Sequence, residues 1–475
     1  MMKSWINQMT TNKIKILCYL DIDKGRDIEI LMPVIFYAEK YLNANVDYSF
    51  IWEIHDIYRK KPDVVLLANT IGSKLHFEIS KYAYENGIKV FALISEGNFR
   101  TNGTFNYWGY NVDKQFYQDF ICHWSKRTYD FLVNELPQYK NQMVVTGATG
   151  FDRYKIYDFV SRSEFLKKWQ LPDFKKVIGY AGWAFGKLFN APGRKELQYF
   201  HKDNPQRLVW MEEQMYLVEG ILKDVIEKNT DTLFILKRHP NEAHPHLTKE
   251  DKNEMAALNN YDNVIYIRNE EDVHDLIHIS DLWLGFETTT ALEAWVMGNK
   301  PTILLNPEPE FARDKLYMGS CIARNYSDLQ KYLDEFYEQE QIAEFHSSGK
   351  KANRDNLVKD TIGFSDGMNH IRAGYYLTKT INQIDLQEKK RIQLNIKYYL
   401  MYELLHIGKY LYNRRLFRKL PKFKKTIWLF ERFRLINVSY LKTKYYPMLE
   451  RFHEKHRIPQ NIHSNRFWND LLNLN

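Results

Sequence analysis

Residues 231–307 are the part of the chain that most constrains its fold. They contain the short apolar runs TLFIL, NVIYI, DLWLG and PTILLN, which polar turns and helical patterns separate. Short apolar runs that alternate with helical segments are typical of βαβ units, which build a parallel sheet covered by helices. Two polar turns, at His239-Pro240 and at Thr288-Thr289-Thr290, follow apolar runs. Because open parallel sheets bind ligands where their strands end, both turns are candidate ligand contacts.

A similar series occupies the first part of the chain. Its strand-like runs are KIKILCYLDI, VDYSFIW, PDVVLLAN, KVFALISEG, FICHW and QMVVTG, and helical patterns such as KLHFEISKYAYENG separate them. A chain of 475 residues also exceeds what one hydrophobic core usually supports. We therefore predict an α/β protein with two Rossmann-like domains, at residues 13–154 and 175–350, facing each other across a cleft. A helical, basic C-terminal extension is expected at residues 351–475.

Positive charge is concentrated near the C-terminal end. The formal net charge is +8, yet residues 391–475 hold 18 Lys and Arg against 5 Asp and Glu, so the rest carries 8 − 13 = −5. In this region aromatic and aliphatic residues interleave with Lys and Arg, which suits an interfacial helix on an anionic membrane. The alternative is a basic helical subdomain packed on the body. No nucleic-acid recognition motif is found, and we expect no nucleic-acid partner.

Cysteine usage and hydropathy indicate the compartment. Cys18, Cys122 and Cys321 lack paired spacing, which argues against a disulfide framework or a cysteine zinc site. Neither a secretory leader nor a bilayer-spanning apolar run of about 20 residues is found. We expect a cytoplasmic protein, with the basic region as its means of peripheral contact with the inner face of the membrane.

His239 and Pro240 end a predicted strand. Proline lacks an N–H and stops the strand, which leaves the imidazole at the edge of the sheet. There it is placed to donate to a phosphate oxygen or a base carbonyl. The alternative is a loop histidine with a structural hydrogen bond.

The hydroxyl-rich turn offers a second set of donor contacts. Thr288, Thr289 and Thr290 precede a predicted helix, whose free N–H groups and dipole suit a phosphate. Glu293, one turn into that helix, is placed to accept hydrogen bonds from ribose hydroxyls. Alternatively, Thr290 and Glu293 form a capping box. Glu287 has the wrong charge for phosphate, so it binds a sugar or base or is simply solvated.

The first domain offers a candidate base and an acceptor loop. Glu96 lies in the turn SEG after the run KVFALI, where a carboxylate is suited to take a proton from a substrate hydroxyl. Its alternative is a turn or capping residue. The loop after the first strand contributes Asp23, Arg26 and Asp27, which are candidates for acceptor or sugar binding.

Other chemistries are less well supported. Three histidines, His239, His244 and His246, stand close together, but prolines break any helical spacing and no acidic pair accompanies them, so we expect no metal site. The sequence contains no P-loop, no dinucleotide fingerprint after the first strand and no nucleophile elbow. We predict no cofactor.

Four segments together carry a resemblance to a known family. They are the loop with Arg26 and Asp27, the turn with Glu96, Val145-Thr146-Gly147 with Phe151-Asp152-Arg153-Tyr154, and His239-Pro240 followed by the hydroxyl-rich turn with Glu293. Over residues 13–310 the chain resembles bacterial surface-carbohydrate biosynthesis proteins and Kdo-transferase-like glycosyltransferases of the GT-B fold.

The resemblance implies a cytosolic transferase that builds a cell-surface glycan. Its donor would be a nucleotide-activated sugar, such as a CMP-sugar, used without an obligatory metal, and its acceptor a glycan or a lipid-linked precursor. One alternative is a polyol-phosphate transferase of the teichoic-acid type, which uses CDP-glycerol or CDP-ribitol. Another is a noncatalytic partner in a glycan assembly complex.

Overall fold

The chain forms two compact units. A computed structural model describes residues 13–20, 26–68, 74–95, 114–239, 242, 253–268, 270–309, 318–385, 391–413 and 438–472. The first unit comprises Met1–Tyr157 and Lys359–Asn475, and the second Asp158–Val358. The chain therefore leaves the first unit once and returns to it for its C-terminal part.

The first unit is built on a parallel sheet of six strands in the order β2-β1-β3-β4-β5-β6. The strands are β1 (Ile14–Leu20), β2 (Ala44–Phe50), β3 (Val64–Leu67), β4 (Lys89–Leu93), β5 (Phe120–His123) and β6 (Met143–Val145), and the helices among them are α1 (Arg26–Tyr41), α2 (Asp56–Lys60), α3 (Lys74–Glu85), α4 (Lys126–Glu135) and α5 (Arg153–Ile156). Each strand coincides with a predicted run, although β2 begins two residues before the run VDYSFIW. The four inner strands are almost wholly buried, because helices cover both faces of a parallel sheet, whereas the edge strands β2 and β6 are partly exposed.

The second unit repeats this architecture with the order β12-β11-β10-β7-β8-β9. Its strands are β7 (Lys176–Ala181), β8 (Thr232–Lys237), β9 (Val264–Ile267), β10 (Leu282–Gly285), β11 (Thr302–Leu305) and β12 (Cys321–Ala323), and its helices are α6 (Arg162–Lys168), α7 (Ala191–Phe200), α8 (Gln206–Lys228), α9 (Val273–Ile279), α10 (Thr290–Gly298), α11 (Tyr326–Gln339), α12 (Ala343–His346) and α13 (Ser348–Ile362). The prediction of two parallel sheets is confirmed.

The segment between the two sheets is folded. Helix α6 begins with a capping box in which Ser161 Oγ accepts from the Glu164 N–H at 3.3 Å and the Ser161 N–H donates to Glu164 Oε2 at 2.9 Å. The helix buries Phe165 and Leu166 in the core of the second unit. Residues 158–174, a polar stretch between the predicted domains, therefore belong to the second unit.

The C-terminal helices pack on the first unit. They are α14 (Asn369–Ile381), α15 (Ile396–Asn413), α16 (Val438–Lys455), α17 (Ile458–Asn461) and α18 (Asn465–Leu472). Ile371 and Leu449 share one hydrophobic cluster with Ile35 of α1. A Cβ on Gly374 would lie 2.5 Å from the Tyr37 ring, so α14 can approach α1 this closely only with glycine there. None of the helices in the described ranges is long and apolar enough to cross a membrane.

Candidate functional site

The candidate site of the second unit lies at the carboxyl ends of β7, β8 and β10. Strand β7 lies between β8 and β10, and Ala181 at its end is in register with Lys237 of β8 and with Gly285 of β10. The chain runs from β7 outward to β9 on one side, then returns to β10 on the other. The strand order therefore reverses between β7 and β10, which is where open α/β sheets bind ligands.

Both turns that the sequence indicated leave the sheet at this edge. His239 is half-buried and lies two residues past the end of β8, whereas residues 286–289 join β10 to α10. Because neighbouring strands are about 4.8 Å apart, the two turns begin roughly 10 Å from each other, with the loop after β7 between them. Pro240 lies outside the described residues.

Two of the three threonine hydroxyls are engaged within their own turn. Trp283 Nε1 donates to Thr290 Oγ1 at 2.8 Å, and the hydroxyls of Thr288 and Thr290 lie 3.0 Å apart. Thr289 is the N-cap residue of α10, and its side chain makes no capping hydrogen bond. Of the first-turn N–H groups, that of Thr290 donates to Thr288 Oγ1 at 3.3 Å and that of Leu292 to the Thr289 carbonyl at 3.1 Å. The Thr289 hydroxyl, at the positive end of the α10 dipole, is thus the donor that this turn presents to an anion.

The alternative in which Thr290 and Glu293 form a capping box is wrong, because the N-cap residue of α10 is Thr289. Thr290 is already the first residue of α10, with Thr289 before it in helical backbone conformation. The hydroxyl of Thr290 instead accepts from the Trp283 indole, a contact that the local pattern could not reveal. Glu293 is half-buried in the first turn of α10, and its ribose contact remains a prediction.

Glu287 is buried, so the prediction that it is simply solvated is wrong. Its backbone adopts the left-handed conformation with φ +49°, and its side chain is 0% exposed. The carboxylate Oε2 lies 3.5 Å from Nη2 of Arg207 in α8. A buried carboxylate needs such a partner, because removing an unpaired charge from water is costly. Glu287 therefore fixes the turn on α8, and its contact with a sugar or base remains a prediction.

The two basic residues before His239 are buried at the end of β8. Lys237 Nζ donates to the carbonyl of Arg268, and the Arg238 N–H donates to the carbonyl of Ile267 at 2.9 Å. Burial, and then the neighbouring charge of Arg238, lowers the pKa of Lys237 to about 8. The Lys237 ammonium is thus tied to the end of β9.

A buried carboxyl group that the sequence did not indicate lies beside the loop after β7. Tyr180 Oη donates to Glu254 Oε1 at 2.9 Å, and Glu254 is completely buried. Burial, and then the charge of Glu242, raises the pKa of Glu254 well above its usual value, which favours the neutral carboxyl. A Cβ on Gly182 would lie 1.8 Å from Glu254 Oε1, so the close approach requires glycine.

Glu242 extends this polar group along the same loop. Its Oε1 accepts from the Gly186 N–H at 2.6 Å, and its Oε2 accepts from Asn253 Nδ2 at 3.0 Å. The two carboxyls therefore fix the backbone between β7 and α7 at the point of strand reversal. A local sequence pattern could not predict the contacts, since Gly182 and Glu254 are far apart in the chain.

The first sheet has its own reversal, between β1 and β3. The loop that the sequence indicated for the acceptor follows β1 and leads into α1, which begins at Arg26 and has a half-buried Asp27 in its first turn. Asp23 and Glu96 lie outside the described residues. Ser95, which follows β4 and precedes Glu96, is buried. The roles of Asp23, Arg26, Asp27 and Glu96 stay predictions.

Asp152 and Arg153, which belong to the resembling segments, have structural partners. Arg153 donates through Nη1 to Glu29 of α1 and through Nη2 to Tyr154 Oη at 2.6 Å. Asp152 Oδ1 accepts from the backbone N–H of Asn369 at 3.1 Å. These buried charges join α5 to α1 and α14, which explains a motif of this kind without substrate contact.

His123 is a buried group at the carboxyl end of β5 that the sequence did not single out. It is 0% exposed, and neither ring nitrogen has a hydrogen-bond partner among the described residues. Burial lowers its pKa to about 3, so the ring is neutral near pH 7. An apolar strand that ends in histidine is the only sequence signal for it.

Among the described residues, one group has metal-ligand spacing. Asp272, His274 and Asp275 at the start of α9 offer ligand atoms within 4.8 Å of one another. Asp275 Oδ1 already accepts from the Val160 N–H at 3.1 Å, and Asp272 is exposed. Exposed acidic groups of this kind need no ion, and we assign none. His244 and His246 lie outside the described residues.

The two sheets, with their strand orders and covering helices, define the GT-B class of two Rossmann-like domains. A putative UDP-N-acetylglucosamine 2-epimerase from Listeria monocytogenes is similar at TM-score 0.51 and 15% identity, over 80% of this chain and 100% of that one. The wall teichoic acid polymerase TagF, as its H548A variant, is similar at TM-score 0.51 and 12% identity, over 78% and 90% of the two chains. At these identities the likeness shows the fold alone.

Comparisons of sequence give no narrower assignment. No protein-family model matches the chain, and no curated protein matches it either. The function is therefore argued from the geometry of the two sheet edges.

Proposed function

We propose that the protein is a GT-B glycosyltransferase that moves a sugar from a nucleotide-activated donor to a cell-surface glycan or its lipid-linked precursor. The carrying observation is the edge of the second sheet. There the Thr289 hydroxyl and the N-terminal turn of α10 follow β10, beside the strand reversal between β10 and β7. His239 follows β8, on the other side of β7. Hydroxyl and N–H donors at a helix N-terminus suit the phosphates of a nucleotide.

In this proposal the second unit holds the donor. Thr289 and the positive end of the α10 dipole bind phosphate, His239 donates to phosphate or base, and Glu293 accepts from ribose hydroxyls. The turn is held by three contacts: Thr290 with Trp283, Thr288 with Thr290, and Glu287 with Arg207. No metal is required, because these donors offset the phosphate charge.

The first unit supplies the acceptor chemistry. Glu96 takes the proton of the acceptor hydroxyl as the sugar is transferred, and Asp23, Arg26 and Asp27 bind the acceptor or the sugar. Replacing Glu96 by Gln should remove turnover and leave the nucleotide affinity unchanged. Weaker donor binding at normal turnover would contradict this role.

A nucleotide panel tests the proposal directly. Binding to the folded state raises the unfolding temperature by mass action, so CMP, UDP, GDP and their sugars, with CMP-sugars expected first, are compared by thermal shift. Thr289→Val should remove the shift, whereas Thr443→Val, at an exposed position of α16, should retain it. No shift with any nucleotide would favour a noncatalytic partner in a glycan assembly complex.

The rival function is polyol-phosphate transfer. The similarity in fold to a wall teichoic acid polymerase favours including CDP-glycerol and CDP-ribitol in the same panel. A thermal shift with CDP-polyols alone, together with measured polyol-phosphate transfer, would show that the donor is a CDP-polyol and not a nucleotide-sugar. In either case we propose a cytoplasmic enzyme that works at the inner face of the membrane.

A further inference from the structure

Helix α15 carries an exposed apolar face on the side away from the first unit. Ile396, Leu400, Leu404 and Ile407 are 67%, 53%, 69% and 53% exposed. At 3.6 residues per turn these four positions fall on one side of the helix. We call Ile396, Leu400, Leu404 and Ile407 the α15 stripe. Tyr399 and Tyr410, which are 40% and 54% exposed, extend it on one flank.

The opposite side of α15 packs on the first unit. Tyr398 and Leu405 are buried in a hydrophobic cluster of the first unit that includes Val65 of β3. His406 Nε2 lies 3.1 Å from Glu53 Oε1, and the Tyr402 hydroxyl accepts from Arg59. The helix therefore contacts the first unit through its opposite side, and the α15 stripe is not the face that packs on that unit.

The sequence that follows the stripe is strongly basic. Residues 409–434 contain ten Lys and Arg against one acid, Glu431. Within α15 the one acid is Glu403, which is half-buried on the stripe side. Apolar side chains beside tyrosines and a basic segment are the combination that attracts and enters an anionic lipid surface.

We propose that the α15 stripe docks the protein on an anionic phospholipid surface. A second copy of the chain is a poorer occupant for two reasons. The stripe is about 20 Å long and roughly 10 Å wide, about 200 Å², whereas a stable interface needs about 800 Å² from each partner. Residues 391–475 also hold 18 Lys and Arg against 5 Asp and Glu, so two copies of this region repel each other.

This docking is independent of the proposed transferase activity, because vesicle binding is measured without any substrate. Full-length protein is sedimented with vesicles of equimolar phosphatidylglycerol and phosphatidylcholine, and with phosphatidylcholine alone. We expect binding to the anionic vesicles only, weakened by salt. Binding to neither vesicle, or equally to both, overturns the proposal.

Paired variants test the stripe itself. Leu400→Gln with Leu404→Gln should lower the partition coefficient at least about tenfold, because two exposed leucines lose their apolar contact. The matched control is Val209→Gln with Leu217→Gln on α8, whose residues are 51% and 41% exposed, and it should bind as the wild type does. Equal binding by both double variants overturns the assignment. So does a wild-type dimer that only the stripe variant abolishes.

A probe reports insertion directly. Cys18, Cys122 and Cys321 are buried, and burial raises their thiol pKa values, so a new surface cysteine is labelled selectively. A polarity-sensitive dye on Leu404→Cys should shift to the blue with anionic vesicles, whereas the same dye on Leu217→Cys should not. Identical spectra at both positions contradict insertion of the stripe.

Discussion

Asp152 and His370, 218 residues apart in the chain, are joined by two hydrogen bonds to one carboxylate oxygen. The His370 backbone N–H donates to Asp152 Oδ2 at 2.8 Å, and His370 Nδ1 lies 2.7 Å from the same atom. His370 Nε2 lies 2.8 Å from His453 Nε2, and His453 Nδ1 lies 2.8 Å from the Tyr41 hydroxyl. This series of hydrogen bonds joins α5, α14, α16 and α1. It therefore attaches the C-terminal helices to the N-terminal part of the first unit.

Replacing Asp152 by Asn should strongly destabilise the first unit. The carboxylate accepts one hydrogen bond at Oδ1 and two at Oδ2 from residues 369 and 370. Asparagine keeps one acceptor oxygen, but its NH₂ group faces an N–H donor at the other position, so at least one buried hydrogen bond is lost. We expect a loss of about 3 kcal/mol in the free energy of unfolding, measured by urea titration. Tyr41→Phe, at the half-buried end of the chain, is the control and should cost about 1 kcal/mol. Equal losses would show that the carboxylate is not the centre of the network.

Buried neutral histidines should make the protein less stable in acid. Burial lowers the pKa of His76 to about 4, of His123 to about 3 and of His453 to about 2, against 6.5 for an ordinary histidine. Below about pH 6.5 the unfolded chain binds protons that the folded chain does not, so stability falls as the pH falls. Each histidine contributes up to about 1.4 kcal/mol per pH unit.

His123→Leu isolates one of these contributions. The ring nitrogens have no described partner, so an apolar side chain loses no hydrogen bond there. We expect a similar stability to wild type near pH 8 and a smaller loss on acidification, followed by thermal unfolding across the pH range. A variant that is equally destabilised at every pH would mean that His123 has an essential packing or bonding role.

Gly182→Ala should disrupt the edge of the second sheet. The new Cβ would lie 1.8 Å from Glu254 Oε1 and 2.8 Å from the Tyr180 hydroxyl, so both buried groups must move. We expect a lower unfolding temperature and loss of the nucleotide-induced shift. Gly220→Ala in α8 is the matched control, because its Cβ meets nothing within 4 Å and alanine favours a helix by about 1 kcal/mol. A nucleotide shift that survives in Gly182→Ala would place the ligand elsewhere.

Glu254→Gln should show the opposite dependence on pH from His123→Leu. Because the folded pKa of Glu254 lies well above its unfolded value, its stabilising contribution is complete in acid and is lost as the pH rises through the folded pKa. Glutamine mimics the neutral carboxyl and does not ionise. We expect wild-type stability below the ordinary carboxyl pKa of about 4.5 and a relative gain of the variant as the pH rises above it. A constant difference across this range would show that Glu254 does not titrate in the folded state.

Local pattern was enough to predict the strands of both sheets except β12, which lies beyond the last predicted run, and it predicted where the candidate turns begin. Apolar runs such as Thr232–Lys237 and Leu282–Gly285 are short and stand between helical patterns, and that signal depends only on neighbouring residues. The same local logic failed at α10. Thr290 and Glu293 have the right spacing for a capping box. However, the Thr290 hydroxyl accepts a hydrogen bond from Trp283, and Thr290 is the first residue of the helix, not its N-cap residue.

The sequence by itself determined the fold class, because alternation of strands and helices is written in short-range periodicity. Only the tertiary structure decided which distant groups meet: Gly182 with Glu254, Glu287 with Arg207, and Asp152 with His370. Each of these pairs depends on strand order and on the return of the C-terminal helices to the first unit. Contacts of that kind are set by how whole elements pack, and no spacing along the chain encodes them.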